Sequence, residues 1–183
     1  MRVIAGSAKG RTLRGPRGGP ARPTSDLVRG AIFDMLDAAG VSYDRVLDLY
    51  AGTGALGIEA LSRGTGTADF VERDRRTAEV IRENLRLTGF EARGRVHVTP
   101  VERALARLRP PYTLILADPP YADDAAIEAI GALVTAAADA RTVLALEHSK
   151  RREPPPRLGP LRLLRTRRHG DTTISVYGWE VES

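Results

Sequence analysis

The sequence predicts an α/β domain built around a mostly parallel β-sheet. After residue 24, apolar runs that each end near a Gly, Asp or Glu alternate with segments of helical periodicity, the βαβα pattern of a parallel sheet. The first of these runs passes through Gly52, Gly54 and Gly57 directly into a helical segment, a G-x-G-x-x-G turn in strand-to-helix context. The 183 residues fit one domain, long enough to bury roughly 70% of its unfolded surface.

Taken in chain order, residues 1–23 are rich in Gly, Pro and Arg and predict an irregular basic arm with a short hairpin through Arg2–Ala5 and Arg11–Leu13. A single α/β domain is expected over residues 24–183. Its first helix spans Asp26–Ala38, where Leu27, Val28, Ala31, Ile32, Met35 and Leu36 form one apolar stripe and Thr24 or Ser25 serves as cap. Strands are predicted at Arg45–Leu49, Ala68–Val71, Arg95–Val98, Thr113–Ala117 and Thr142–Glu147. The intervening helices are Ala55–Arg63, Arg75–Leu87, Glu102–Leu108 and Asp124–Ala138. Arg151–Pro160 reads as a Pro-rich basic loop. Beyond it, strands at Leu161–Arg167 and Thr172–Trp179 are joined closely enough by His169-Gly170-Asp171 to pair antiparallel.

The charge is segregated. A net +5 divides into +6 over residues 1–29, −5 over 30–147 and +4 over 148–183, so basic ends flank an acidic middle. Such a distribution suits a polyanion, because Arg and Lys contacts to phosphate supply most nonspecific nucleic-acid affinity. With no cysteine and three scattered histidines, His97, His148 and His169, neither disulfides nor a metal site is expected. Nothing resembles a signal peptide or an eighteen-residue apolar span, so a soluble, cytoplasmic protein is expected, with no membrane partner.

Two motifs carry the chemistry. Glycines in the turn after the first strand let the backbone take positive φ and approach a ligand closely, a property shared by dinucleotide and other nucleoside-cofactor sites. Asp48, four residues before Gly52, lies near the strand's end, where a carboxylate can face a cationic or amino-bearing ligand. Glu72 follows the next apolar run, 20 residues beyond Gly52, where an acid can accept hydrogen bonds from ribose hydroxyls. The second motif is Asp118-Pro119-Pro120-Tyr121 at the end of an apolar strand, the edge of an open α/β sheet where ligands bind. Prolines stiffen it and leave carbonyls free to accept. An exocyclic base amine is a poor nucleophile, so methylating it requires acceptors that orient its N–H bonds and aim its lone pair, which the Asp118 carboxylate and Pro119 carbonyl could supply. Tyr121 could stack on an extruded base.

With both motifs in place the chain resembles the class I S-adenosylmethionine-dependent methyltransferases, and more closely the RsmD family of 16S rRNA guanine-N2 methyltransferases. The resemblance rests on Arg2-Val-Ile-Ala-Gly, Lys9-Gly-Arg-Thr-Leu, Arg22-Pro-Thr-Ser-Asp-Leu-Val-Arg29, Asp48–Gly57, Asp118–Tyr121 and Gly170-Asp-Thr-Thr-Ile-Ser-Val-Tyr177. It implies a Rossmann-like, seven-stranded, mostly parallel sheet with an antiparallel last strand, helices on both faces and a small N-terminal hairpin extension. It also implies methylation of the N2 amine of a guanine, conventionally numbered 966, in the small ribosomal subunit or its assembly intermediate, by a monomer. By position, Asp48, Gly52, Thr53 and Gly54 are expected against the methionine part of S-adenosylmethionine (product S-adenosylhomocysteine), Glu72 on its ribose and the Val101 backbone at its adenine, with Ala51 and Arg73 also expected to bind the cofactor. Asp118, Pro119, Pro120 and Tyr121 are expected on the target amine. RNA contacts are expected from Arg2, Lys9, Arg11, Arg14, Arg22, Thr24, Arg29, Arg151 and Arg152. Two positions depart from the pattern: Gly30 replaces a common acid, and Thr99-Pro100-Val101-Glu102 lacks the usual small polar residue near adenine.

Alternatives remain open at this stage. A DNA or RNA amino-methyltransferase acting on adenine or cytosine would use a similar Asp-Pro-Pro-Tyr segment. A nicotinamide oxidoreductase would use the same glycine turn but prefer NAD to S-adenosylhomocysteine, and a noncatalytic RNA-binding protein would leave Asp118–Tyr121 without a purpose.

Overall fold

A computed structural model describes residues 1–15, 26–120 and 124–179. Its elements run α1 (Asp26–Ala38), β1 (Arg45–Leu49), α2 (Ala55–Arg63), β2 (Thr67–Glu72), α3 (Arg75–Thr88) and β3 (Gly94–Val98). A 3₁₀ helix (Val101–Arg107) precedes β4 (Leu114–Ala117), α4 (Asp124–Ala137), β5 (Val143–Ser149), β6 (Arg157–Leu158), β7 (Leu161–His169) and β8 (Thr172–Trp179). One sheet holds all eight strands in the order β3-β2-β1-β4-β5-β8-β7-β6. Strands β1 to β5 are mutually parallel, and β8 lies antiparallel between β5 and β7.

The sheet thus has eight strands rather than seven. The extra one, β6, is two residues long and falls within the stretch that reads as a Pro-rich loop, where it pairs with the start of β7. Its brevity leaves no periodicity to detect. The segment expected as an α-helix over Glu102–Leu108 is instead 3₁₀. Confined between Pro100 and Pro110, it is too short to repay α-helix nucleation without tertiary help.

Two apolar layers sandwich the sheet. On one face, Ile32, Phe33 and Leu36 of α1, Ile58 and Leu61 of α2 and Ile81 of α3 pack with Val46, Phe70 and Leu116. On the other, Ile130, Leu133 and Val134 of α4 pack with Leu47, Ile115, Leu144 and Tyr177. Strands buried on both faces read as continuous apolar runs, which is why β1 and β4 were legible without alternation.

Residues 1–15 of the N-terminal arm are docked on the domain. A bridge between Arg2 and Thr12 closes the expected hairpin. The Ile4 and Ala5 amides donate to the Glu59 carboxylate at 2.8 and 3.0 Å, and the Ala8 amide donates to Ser62 Oγ at 2.9 Å. Gly6, at φ +81°, lies so close that a Cβ there would sit 1.9 Å from the Ser62 carbonyl oxygen, so only glycine fits.

Arg29, expected at the RNA surface, is fully buried beneath this arm. Its guanidinium donates to the Arg2 carbonyl and, at 2.9 Å, to Asp26, and its Nε lies 3.9 Å from Glu59. Glu59 in turn accepts from Arg63 Nε at 2.9 Å. A buried guanidinium needs such partners, and this set ties α1, α2 and the arm together while removing Arg29 from any ligand.

Candidate active site

Sheet register brings the predicted residues to one edge. The parallel pairings align His97, Val71, Leu49, Ala117 and Leu146 in a single row across β3, β2, β1, β4 and β5. One residue further along each strand stand Val98, Glu72, Tyr50, Asp118 and Glu147, so two of the three acids expected from sequence, Glu72 and Asp118, occur together at the carboxyl ends of their strands. A cleft of about 320 Å³ opens there, within the range of roughly 300–1,000 Å³ typical of small-molecule sites. Its walls are Tyr50 after β1, Val71, Glu72 and Arg73 from β2, Thr99–Glu102 after β3, and Asp118, Pro119 and Pro120 after β4.

The glycine turn follows directly on Tyr50, but Ala51, Gly52, Thr53 and Gly54 are not among the residues that line the cleft. Gly52 (φ +55°) and Gly54 (φ +78°) are in the left-handed region, and open space surrounds the position a Gly52 Cβ would take. Gly54 begins α2 with no side-chain cap, leaving leading amides of the helix for a ligand or water. Gly57 has a different reason to be glycine: a Cβ would approach Phe70 to 2.3 Å and Asp48 to 3.0 Å.

Asp48 turns beneath the glycine turn and does not wall the cleft. Only 1% exposed, it accepts the Gly57 amide at 2.8 Å through Oδ2. Burial pushes its carboxyl well above the ordinary range, the Gly57 bond opposes that, and the nearby Asp118 and Glu72 charges add to the rise. Glu72 braces the turn from the side, accepting the Gly52 amide at 3.0 Å and the Asp74 amide at 2.8 Å on separate oxygens. Each oxygen keeps acceptor capacity for a further donor. Three carboxylates therefore act on one cleft, a field suited to a cationic ligand bearing donors.

Asn84 is a residue that sequence reasoning missed. Fully buried on α3, it accepts the Arg14 amide at 2.6 Å and donates to the Arg14 carbonyl at 3.1 Å and to the Thr53 carbonyl at 2.9 Å. The arm and the glycine turn are thereby joined through one side chain. A signal existed: Asn84 falls three residues after Ile81 and one before Leu85, a polar residue on the apolar stripe of an amphipathic helix.

The remaining expectations divide. Val101 is buried at the start of the 3₁₀ helix, and Arg73 is exposed at the cleft. Arg2, Lys9, Arg11, Arg14 and Arg151 are exposed, Arg14 beside Glu83 at 3.2 Å, while Arg152 pairs with Asp124. Tyr121, Arg22, Thr24 and the expected Thr24 or Ser25 cap lie outside the described residues. Among the described residues no cluster of His, Asp and Glu could hold a metal ion, and no helix is long and apolar enough to cross a membrane.

Comparison with known proteins decides the family. The model of the family described as "Conserved hypothetical protein 95" matches residues 1–178. The chain belongs to this family, that of the RsmD methyltransferases. Among its relatives, "Putative rRNA methyltransferase YlbH" of Bacillus subtilis (strain 168) is 36% identical over 97% of this chain and 98% of its own. "Ribosomal RNA small subunit methyltransferase D" of Escherichia coli (strain K12) is 38% identical over 66% of this chain and 60% of its own. The solved structure described as "Putative methyltransferase yhhF from Escherichia coli" superposes with a TM-score of 0.84 at 30% identity, covering 100% of this chain and 99% of that one. The cofactor of this RsmD-family chain is S-adenosylmethionine. The site fits it, since a sulfonium and an ammonium complement the field of Glu72 and Asp118 and would favour ionisation of the buried Asp48, and the Val71–Pro100–Val101 wall offers apolar surface to a flat base.

Proposed function

We propose that this chain methylates the exocyclic N2 amine of a guanine in small-subunit ribosomal RNA, at the position conventionally numbered 966, within the subunit or an assembly intermediate. The observation that carries the reading is the register that sets Asp118 and Glu72 in one row at the sheet's carboxyl edge, flanking the same cleft. The ribosomal substrate is supported by the relatives named above and by the basic ends of the chain.

When bound, S-adenosylmethionine supplies an electrophilic methyl group on a sulfonium. Glu72 would hold ribose hydroxyls on the acceptor sites its two amide bonds leave, and the leading amides of the 3₁₀ helix at Val101 would meet the adenine edge. Gly52, Thr53 and Gly54 would give the methionine part close backbone approach, with Ala51 in the same turn and Arg73 at the cleft next to Glu72. Asp118, partly exposed where Pro119 is buried, would accept an amine N–H together with the Pro119 carbonyl. These acceptors restrain the amine and favour a tetrahedral nitrogen whose lone pair faces the methyl, a contribution of positioning and electrostatics. Tyr121, next in the chain, would stack on the base, with Arg22 and Thr24 at its entrance.

The test is mass-spectrometric mapping of small-subunit rRNA from cells with and without this protein, backed by label transfer from S-adenosylmethionine to subunits lacking the modification. N2-methylguanosine that appears only with the protein is expected. An N6-methyladenosine or methylcytosine product, or no product from folded protein, would refute the guanine assignment.

A further inference from the structure

We infer that the arginines of β7 form a second RNA grip on the rim of the active site, a role that rests on the ribosomal RNA reading above and extends it. Strand β7 reads Leu-Arg-Leu-Leu-Arg-Thr-Arg-Arg-His, four arginines and no acid in nine residues. It lies next to the sheet's edge, and β6 covers only its first two residues by pairing Arg157 with Arg162 and Leu158 with Leu161. From Leu164 to Arg168 every residue is exposed, so this stretch of β7 presents both faces of the strand to solvent.

Register fixes where those charges stand. Leu146 of β5 pairs with Ser175 of β8, which pairs with Thr166 of β7, so Thr166 continues the row that contains Ala117. One residue further, Glu147 pairs with Ile174 and Ile174 with Arg167, which sets Arg167 level with Asp118. Arg168, opposite Thr173, is one step beyond. Because β7 runs in the same direction as β4, its arginine-rich end emerges at the edge that carries the Asp-Pro-Pro segment. Three inter-strand steps of about 4.8 Å separate them, roughly 14 Å along the rim.

Edge strands commonly carry charge to prevent sheet-to-sheet pairing, and that accounts for isolated charges. It does not account for the sign. Arg165 and Arg167 project to the same face, that of Val176 and Ile174, about 7 Å apart, and Arg168 projects to the other. None of these three forms an ion pair with any described residue, whereas Lys150 and Arg152 on the same rim pair with Asp171 and Asp124. Like charges this close repel, and a polyphosphate chain passing along the rim relieves that repulsion while a base occupies the Asp118 cleft. Arg165, Arg167 and Arg168 are thus backbone-positioning contacts, sequence-independent and salt-dependent.

The experiment measures binding of deproteinised small-subunit rRNA against salt concentration for the full chain and for Arg165→Gln/Arg167→Gln/Arg168→Gln. Each lost phosphate contact removes about 0.7 from the log–log slope on single strands, so the triple variant is expected to lose about 2. Replacement of the same three by Lys keeps the slope. Should the triple variant unfold, Arg167→Gln alone is expected to lose about 0.7. S-adenosylhomocysteine affinity stays unchanged, because none of the three touches that cleft. A slope change below about 0.7 in the folded triple variant, with the wild type still binding and methylating RNA, overturns this inference alone. Failure of the wild type to bind either this RNA or small subunits lacking the modification overturns both it and the reading it rests on.

Discussion

Asn84→Ala should both destabilise the fold and loosen the cofactor turn. The side chain makes three hydrogen bonds, two to the backbone of Arg14 and one to the Thr53 carbonyl, at 2.6, 3.1 and 2.9 Å. At about 0.5–1.5 kcal/mol net for each, their loss amounts to about 1.5–4.5 kcal/mol, and burial of the orphaned groups favours the upper half. For a chain of this size each kcal/mol moves Tm by about 2–4 °C, so a fall of about 6–18 °C is expected in thermal unfolding. Because Thr53 belongs to the glycine turn, S-adenosylhomocysteine affinity measured by calorimetry should also fall, by about fivefold if about 1 kcal/mol of that loss is expressed at the site. Asn84→Asp keeps the acceptor for the Arg14 amide but places a carboxylate against two carbonyl oxygens, so it should be no milder than alanine. A Tm within 2 °C of wild type together with unchanged affinity would show that Asn84 does not join the arm to the turn.

Other perturbations test the same framework. Glu59→Ala removes the buried carboxylate that lies 3.9 Å from Arg29 Nε and accepts from the Ile4 and Ala5 amides and Arg63 Nε, and should cost about 3–5 kcal/mol in chemical denaturation. Gly57→Ala forces a methyl against Phe70 and Asp48, and should cost about 1–3 kcal/mol and weaken cofactor binding in the same titration. The raised Asp48 carboxyl gives a pH signature. Above its ordinary value of 3.8 and below its raised one, the folded chain holds a proton that the unfolded chain has released, so stability declines as pH rises through that window. A cationic ligand favours the ionised form, so S-adenosylmethionine should bind more tightly as pH rises through the window and should release up to one proton. Asp48→Asn, which retains an acceptor for Gly57, should abolish the proton release seen by calorimetry in buffers of different ionisation enthalpy.

Most of the architecture was legible because β1, β4 and β5 are buried on both faces and each helix carries its own stripe. Sequence spacing alone placed Asp48, Glu72 and Asp118 at strand ends, since the carboxyl edge of a parallel sheet is where such runs stop. Arg29 was misassigned because a basic residue in a basic segment looks like surface, whereas its burial depends on Glu59, 30 residues away. Asp48 was placed on the right strand but turned under the glycine turn, a choice made by the Gly57 amide and not by residue type. The role of Asn84 depends on a contact between segments 70 residues apart, which no local pattern encodes. The rim position of Arg167 required the register of three strand pairs, which periodicity does not fix.

Everything in the functional account depends on donor and acceptor groups sharing one crevice while belonging to separable parts of the protein. The direct measurement is a paired one on Asp118→Asn: methyl transfer to unmodified small subunits and affinity for S-adenosylhomocysteine. Transfer is expected to fall at least about 100-fold while affinity stays within a few-fold of wild type. Transfer retained at near wild-type rate, or a loss explained wholly by weakened cofactor binding, would contradict the account.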